Sequence, residues 1–86
     1  MTEVTIYTTM MCPYCVRAKA LLKGKGTKFR EIGVGMSPSK RAEMRNLAGG
    51  RNSVPQIFIG GRHIGGCDEL HALDAAGKLD QLLTPA

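Results

Sequence analysis

Two thiols three positions apart, in Cys12-Pro13-Tyr14-Cys15, are the residues of this chain best suited to chemistry. They follow an apolar, β-branched run, Val4-Thr5-Ile6-Tyr7-Thr8, and open a helical pattern from Val16 to Leu22. Cysteines so spaced at a strand-to-helix junction can close a small disulfide ring, and in a small α/β protein they read as a thioredoxin-like redox motif. The first thiol falls at the helix N-terminus. Free N–H groups and the macrodipole there favour an anion, so thiolate is stabilised over thiol. Pro13 has no N–H to donate, but the amides of Tyr14 and Cys15 can point back at the sulfur, and Arg17 and Lys19 add weaker positive potential. Cys15, one turn in, is expected to be more shielded. Cys12 is therefore the candidate nucleophile, and Cys15 the thiol that resolves a mixed disulfide. The bland alternative is a chance pair of core cysteines, which the strand-to-helix position disfavours. No metal is expected either: a structural zinc site takes four ligands, and no second Cys/His pair has suitable spacing.

Two further segments can bind rather than react. Ser53-Val54-Pro55 stands just before an apolar run. A cis Pro55 would break ladder pairing and leave the Val54 N–H and C=O free for an extended ligand; a trans proline merely starting a strand is the alternative. Gly65-Gly66-Cys67-Asp68 places two glycines and an acid at a helix start. Amides there can bind a carboxylate. Asp68 can cap its own helix, or accept from an ammonium group as well. Together these features would grip a zwitterionic, peptide-like thiol whose sulfur meets Cys12.

The elements that must position these residues follow from pattern and punctuation. Residues 4–8 read as a buried strand, and 13–24 as a helix with Pro13 in its first turn and Gly24 and Gly26 at its end. On that helix Val16, Ala20 and Leu21 are expected on one inward face, opposite Arg17, Lys19 and Lys23. A weakly alternating second strand covers 28–33. Ser37-Pro38 caps and starts a second helix that runs to about Ala48 and stops at Gly49-Gly50. Gln56-Ile57-Phe58-Ile59 and Arg62-His63-Ile64-Gly65, joined by Gly60-Gly61, read as a tight β-hairpin. A helix follows from about Asp68 to Ala76, with Leu70 and Leu73 inward, and a short last helix carries Leu79, Leu82 and Leu83 before Pro85. The order βαβαββα, plus that last helix, predicts an α/β fold: a four-stranded mixed sheet flanked by helices, with a right-handed parallel crossover and an antiparallel hairpin.

Size and charge bound the rest. At 86 residues the chain is one small domain, 1–86. No apolar run approaches a membrane span, and Met1-Thr2-Glu3 shows no basic, apolar leader, so a cytoplasmic protein is expected. Three cysteines there argue for redox chemistry over a secreted disulfide framework. The net charge of +5 is scattered over helix faces without aromatic interleaving, which disfavours nucleic acid. His63 and His71 are isolated and read as surface or core residues, and Cys67 as an unreactive lining or, if exposed, a thiol open to oxidation or glutathionylation. Met10 and Met11 beside the nucleophile could form a soft docking surface or pack against the hairpin.

With these residues in view the chain resembles the glutaredoxins, in particular the dithiol Cys-Pro-Tyr-Cys class of the small bacterial glutaredoxin 3 type. The likeness rests on Ile6-Tyr7-Thr8, Cys12 to Cys15, Arg17 to Leu22, Val54 to Ile59 and His63 to Asp68. It implies a thioredoxin-like fold, a cis Pro55, and glutathione as reducing co-substrate. It implies that Tyr14, Ser53, Val54, Pro55, Gly66, Cys67 and Asp68 line the glutathione groove, and that Arg41 reaches the glycine carboxylate of glutathione. It also implies action on glutathionylated or disulfide-containing proteins, electron donation to reductases, and a monomer. Three positions depart from the family pattern. Thr9 stands where the family usually has lysine, Ser53 replaces threonine, and Gly49-Gly50-Arg51 is one residue longer than the common form. The rival readings are a thioredoxin-like donor reduced by a flavoprotein, and an iron–sulfur carrier built from two chains and two glutathiones.

Overall fold

The two most apolar strands lie side by side in the middle of the sheet, where both faces are covered. In the computed structural model, which describes residues 3–83, these are β1 (Val4–Thr8) and β3 (Gln56–Ile59). The polar strands β2 (Arg30–Gly33) and β4 (Arg62–Gly65) take the edges, giving the order β2-β1-β3-β4. β1 runs parallel to β2, with Ile6 beside Glu31, and antiparallel to β3, with Ile6 beside Ile57. The β3–β4 hairpin turns through Gly60 (φ 60°) and Gly61 (φ 80°), and two successive positive φ values are what a two-residue hairpin of this hand requires.

Among the described residues there are four helices: α1 (Pro13–Gly24), α2 (Pro38–Leu47), α3 (Cys67–Ala75) and α4 (Leu79–Leu83). Strand alternation splits the interior into two layers. Val4, Ile6, Ile57 and Ile59 pack with Ala18, Leu22, Leu70 and Leu79 beneath α1, α3 and α4. Tyr7 and Phe58 face the other way, onto Val34, Met44 and Ala48. Lys25 locks the end of α1 to the C-terminal helices through Asp74 (2.7 Å) and Asp80 (3.1 Å).

The predicted α/β fold and four-stranded mixed sheet are therefore present, with four differences. The second strand begins at Arg30 rather than residue 28, because only Arg30 onward finds partners on β1. α2 ends at Leu47 with Ala48 as its cap, and α3 runs from Cys67 to Ala75 rather than 68–76. The inward face of α1 is not Val16, Ala20 and Leu21. Val16 is 60 % exposed and Ala20 is exposed, while Cys15, Ala18 and Leu22 are buried and Leu21 only partly so. Apolar residues occur nearly all round this helix, so its rotation is set by the packing of α1 on β1 and α3, not by its own periodicity. Pro85 and the pair Met1-Thr2 lie outside the described residues.

Candidate active site

The turn that starts α1 holds the Cys12 sulfur. Cys12 is extended (φ −105°, ψ 107°) and forms the N-cap, its carbonyl accepting from the Val16 N–H at 3.1 Å. Pro13 takes the first helical position, where a missing N–H costs nothing and its fixed φ suits the helix. The Cys15 N–H donates to Cys12 Sγ at 3.1 Å. A serine or threonine cap uses the same bond; here the acceptor is sulfur. Just before it, Met11 adopts φ 56°, which turns the chain sharply into the motif.

The two thiols are unequal. Both are free; Cys12 is half-buried, whereas Cys15 is 1 % exposed. Burial pushes the Cys15 thiol up to about 12, and the neighbouring Cys12 adds to the effect. Burial raises Cys67 as well, opposed by the Arg17 charge.

Two depressions adjoin the motif, one lined by Cys12 and Cys15 and the other by Tyr14. The smaller, of about 140 Å³, is lined by Tyr14 together with Ser53, Val54, Pro55, Gly66, Cys67 and Asp68. All seven residues expected in the groove are thus brought together, from the start of α1, residues 53–55 and the start of α3, which meet only in the folded chain. The Val54–Pro55 bond is cis, and both residues lie outside the ladder, which begins at Gln56. The larger, of about 730 Å³, contains Cys12 and Cys15 with Thr9, Met10, Met11 and Met36 at its edges and the Lys19–Glu31 pair (2.9 Å) in its wall. Thr8 also donates to Glu31 at 2.7 Å, and these two donors hold its carboxyl below the usual range. Met10 and Met11 are 87 % and 97 % exposed, so they do not pack against the hairpin.

Four expectations are corrected or refined. Asp68 does not cap α3. Gly66 is the N-cap, and its N–H donates to Glu69 Oε1 at 2.8 Å. Glu69 sits three residues beyond the cap, the position from which a glutamate reaches back; that spacing was the available signal. Its side chain lies over Gly65 (φ 120°), where a Cβ would meet Glu69 Oε1 at 2.5 Å. Arg41 does not line the smaller depression. Its guanidinium donates to Asn52 Oδ1 and to the Asn52 carbonyl, both at 2.9 Å, and so braces the segment leading into Ser53. Arg51, obscured by the longer loop, does line it and pairs with Glu69 at 2.7 Å. The Gly66 N–H first, and then Arg51, hold the Glu69 carboxyl low. His63 is not isolated: its Nε2 lies 2.7 Å from Gln56 Oε1.

This geometry has close counterparts. The Glutaredoxin family model matches residues 4–64, which include the thiol motif and the cis-proline segment. Glutaredoxin 3 of Escherichia coli (strain K12) is 57 % identical over 83 residues, covering 96 % of this chain and 99 % of that protein. The solution structure of a glutaredoxin from Brucella melitensis superposes with a TM-score of 0.85 at 58 % identity, over 96 % of this chain and 89 % of that one. A buckwheat glutaredoxin–glutathione complex superposes with a TM-score of 0.86 at 30 % identity, over 95 % of this chain and 76 % of that one. Among the described residues, no helix is long and apolar enough to cross a membrane. The chain belongs to the glutaredoxin family and is a glutathione-dependent thiol–disulfide oxidoreductase, with glutathione as its reducing co-substrate.

Proposed function

We propose that Cys12 is the attacking thiol, Cys15 the resolving thiol, and the smaller depression the glutathione groove. The observation that carries this is the inequality of the two sulfurs: one capped by an amide and accessible, the other buried and held protonated. On a glutathionylated protein, the Cys12 thiolate attacks the glutathione sulfur and the protein thiolate leaves and takes up a proton. The Cys12–glutathione disulfide then receives a second glutathione thiolate on its glutathione sulfur, which releases oxidised glutathione and the Cys12 thiolate. On a protein disulfide, Cys12 forms a mixed disulfide with one protein sulfur. Cys15 loses its proton and attacks Cys12 Sγ, freeing the protein dithiol and leaving a Cys12–Cys15 disulfide that two glutathiones reduce.

In the groove, the Val54 backbone pairs with the extended tripeptide. The N–H groups at the start of α3, around Gly66 and Cys67, receive a carboxylate. Asp68, released from capping by Glu69, is exposed and available to an ammonium group. Tyr14, Ser53 and Pro55 supply the remaining walls, and Arg41 acts through Asn52. The chain works as a single-domain cytoplasmic monomer on disulfide-containing proteins, without nucleic acid or membrane. A mixed-disulfide trap tests the assignment. The Cys15→Ser variant treated with oxidised glutathione should carry one glutathione on Cys12 by peptide mass spectrometry; glutathione found on Cys67 instead would refute it.

A further inference from the structure

One wall of the groove is shaped from inside the sheet. Gln56, the first residue of β3, is 0 % exposed. A buried amide is costly unless its polar atoms are paired, and this one is fully paired. Its Nε2 donates to the Ser53 carbonyl at 3.0 Å and to Ser53 Oγ at 3.2 Å, and its Oε1 lies 2.7 Å from His63 Nε2. The direction of these bonds is determined. A carbonyl can only accept, so the amide nitrogen faces Ser53 and Oε1 faces His63; His63 Nε2 must then carry a hydrogen. Ser53 Oγ in turn accepts from Gln56, which leaves its own proton free to point elsewhere. Ser53 is exposed and lines the groove with Tyr14, Val54 and Asp68.

Strand geometry explains the reach. Gln56 and Phe58 project from the same face of β3, and His63 stands opposite Phe58 on β4. The His63 ring lies 5.0 Å from the Phe58 ring, tilted by 34°, and Phe58 meets Tyr7 edge-on at 5.6 Å. The imidazole is thus seated on an aromatic pair with its Nε2 reaching diagonally to Gln56. A glutamine serving only to bind strands together would divide its donors among them. Here both donors go to one exposed residue outside the ladder.

We infer that His63 and Gln56 are positioning residues for glutathione. They form a directed hydrogen-bond chain that holds the Ser53–Val54 wall and turns the Ser53 hydroxyl into a donor for an oxygen acceptor of the bound tripeptide. The inference rests on the glutathione reading of the groove. Each bond in the chain polarises the next, and the Ser53 hydroxyl, already accepting from Gln56, keeps its O–H to donate to a ligand oxygen.

The test compares Gln56→Met, which keeps volume but removes the amide, with Ser53→Ala, Ser53→Thr and His63→Phe, which keeps a ring on Phe58. Steady-state rates are measured on a glutathionylated peptide and on the same peptide carrying cysteine in mixed disulfide. Alkylation of Cys12 and melting temperature are followed in parallel. Gln56→Met and Ser53→Ala should raise KM for the glutathionylated peptide about three- to tenfold with Cys12 alkylation unchanged. Ser53→Thr should keep the wild-type KM, and His63→Phe should raise it less than Gln56→Met. The Gln56→Met/Ser53→Ala double variant should lose less than the product of the two single effects. Imidazole 15N shifts of the wild-type protein should report the Nε2–H form of His63, a readout that stands even if Gln56→Met fails to fold. An unchanged KM in the variants, multiplicative losses, or an Nδ1–H tautomer would overturn the chain while leaving the groove intact. A wild-type protein that treats the two peptides alike would overturn the groove reading, and the inference with it.

Discussion

The Cys15 N–H donates to the sulfur of Cys12 at 3.1 Å, while the sulfur of Cys15 itself is sealed inside the protein. One residue thus donates to its partner's sulfur through its backbone, while burial keeps its own side chain neutral. This separates the two steps of disulfide exchange: the first thiol is presented ready, and the second becomes a nucleophile only once a mixed disulfide stands beside it.

Removing either thiol should therefore give different enzymes. Cys12→Ser should abolish activity on both glutathionylated peptides and protein disulfides. Cys15→Ser should retain deglutathionylation, since a second glutathione completes that cycle, and lose protein disulfide reduction. Coupled assays on the two substrate types check this, and residual near-normal activity in Cys12→Ser would assign the nucleophile elsewhere.

Alkaline pH should cost the fold stability through Cys15. Its thiol sits at about 12 in the folded protein, against about 8.5 for a free thiol. The folded state then keeps a proton that the unfolded chain releases. The contribution is complete below the unfolded value and is lost as pH rises from there through the folded value, by on the order of 1 kcal/mol per pH unit. Urea midpoints at pH 8 and pH 10 should fall more for the wild type than for Cys15→Ser. Equal declines would show that tyrosines and lysines account for the whole effect.

Asp68 and Glu69 are adjacent acids with separable tasks. Glu69→Ala removes the bond to the Gly66 N–H and the partner of Arg51, and should lower stability by about 1 kcal/mol. Asp68→Ala leaves the cap in place and should instead raise the glutathione concentration needed for half-maximal rate, with little change in melting temperature. A reversed pattern would return the cap to Asp68.

Thr9 lies in the cavity that also contains Cys12 and Cys15, so a cation placed there should be felt at the sulfur. Thr9→Lys should speed iodoacetamide alkylation of Cys12 near neutral pH and tighten glutathione binding. An exposed charge contributes less than about 1 kcal/mol, so the gain should be under about fivefold and should shrink with salt. Alkylation rates at low and high ionic strength decide it; a slower reaction in the lysine variant would show that position 9 points away.

Much of this protein was legible in its chain because the relevant physics is local. A Cys-Pro-Tyr-Cys segment between a β-branched run and a helical one carries its own cap, its own first-turn proline and its own spacing of thiols. Gly60-Gly61 imposes a hairpin by backbone freedom alone, and the order of strands and helices predicts a mixed sheet. What the tertiary structure decided is whatever depends on two distant segments meeting. The rotation of α1 was not readable, because a helix apolar on most sides takes its phase from β1 and α3, and that phase buries Ala18 and Leu22 while exposing Val16. Arg51 enters the groove only because α3 brings Glu69 to it. Gln56 and His63, seven residues apart and unremarkable in sequence, become one hydrogen-bond chain because pairing across the β3–β4 hairpin carries the imidazole to the amide, where burial forces every polar atom to find its partner.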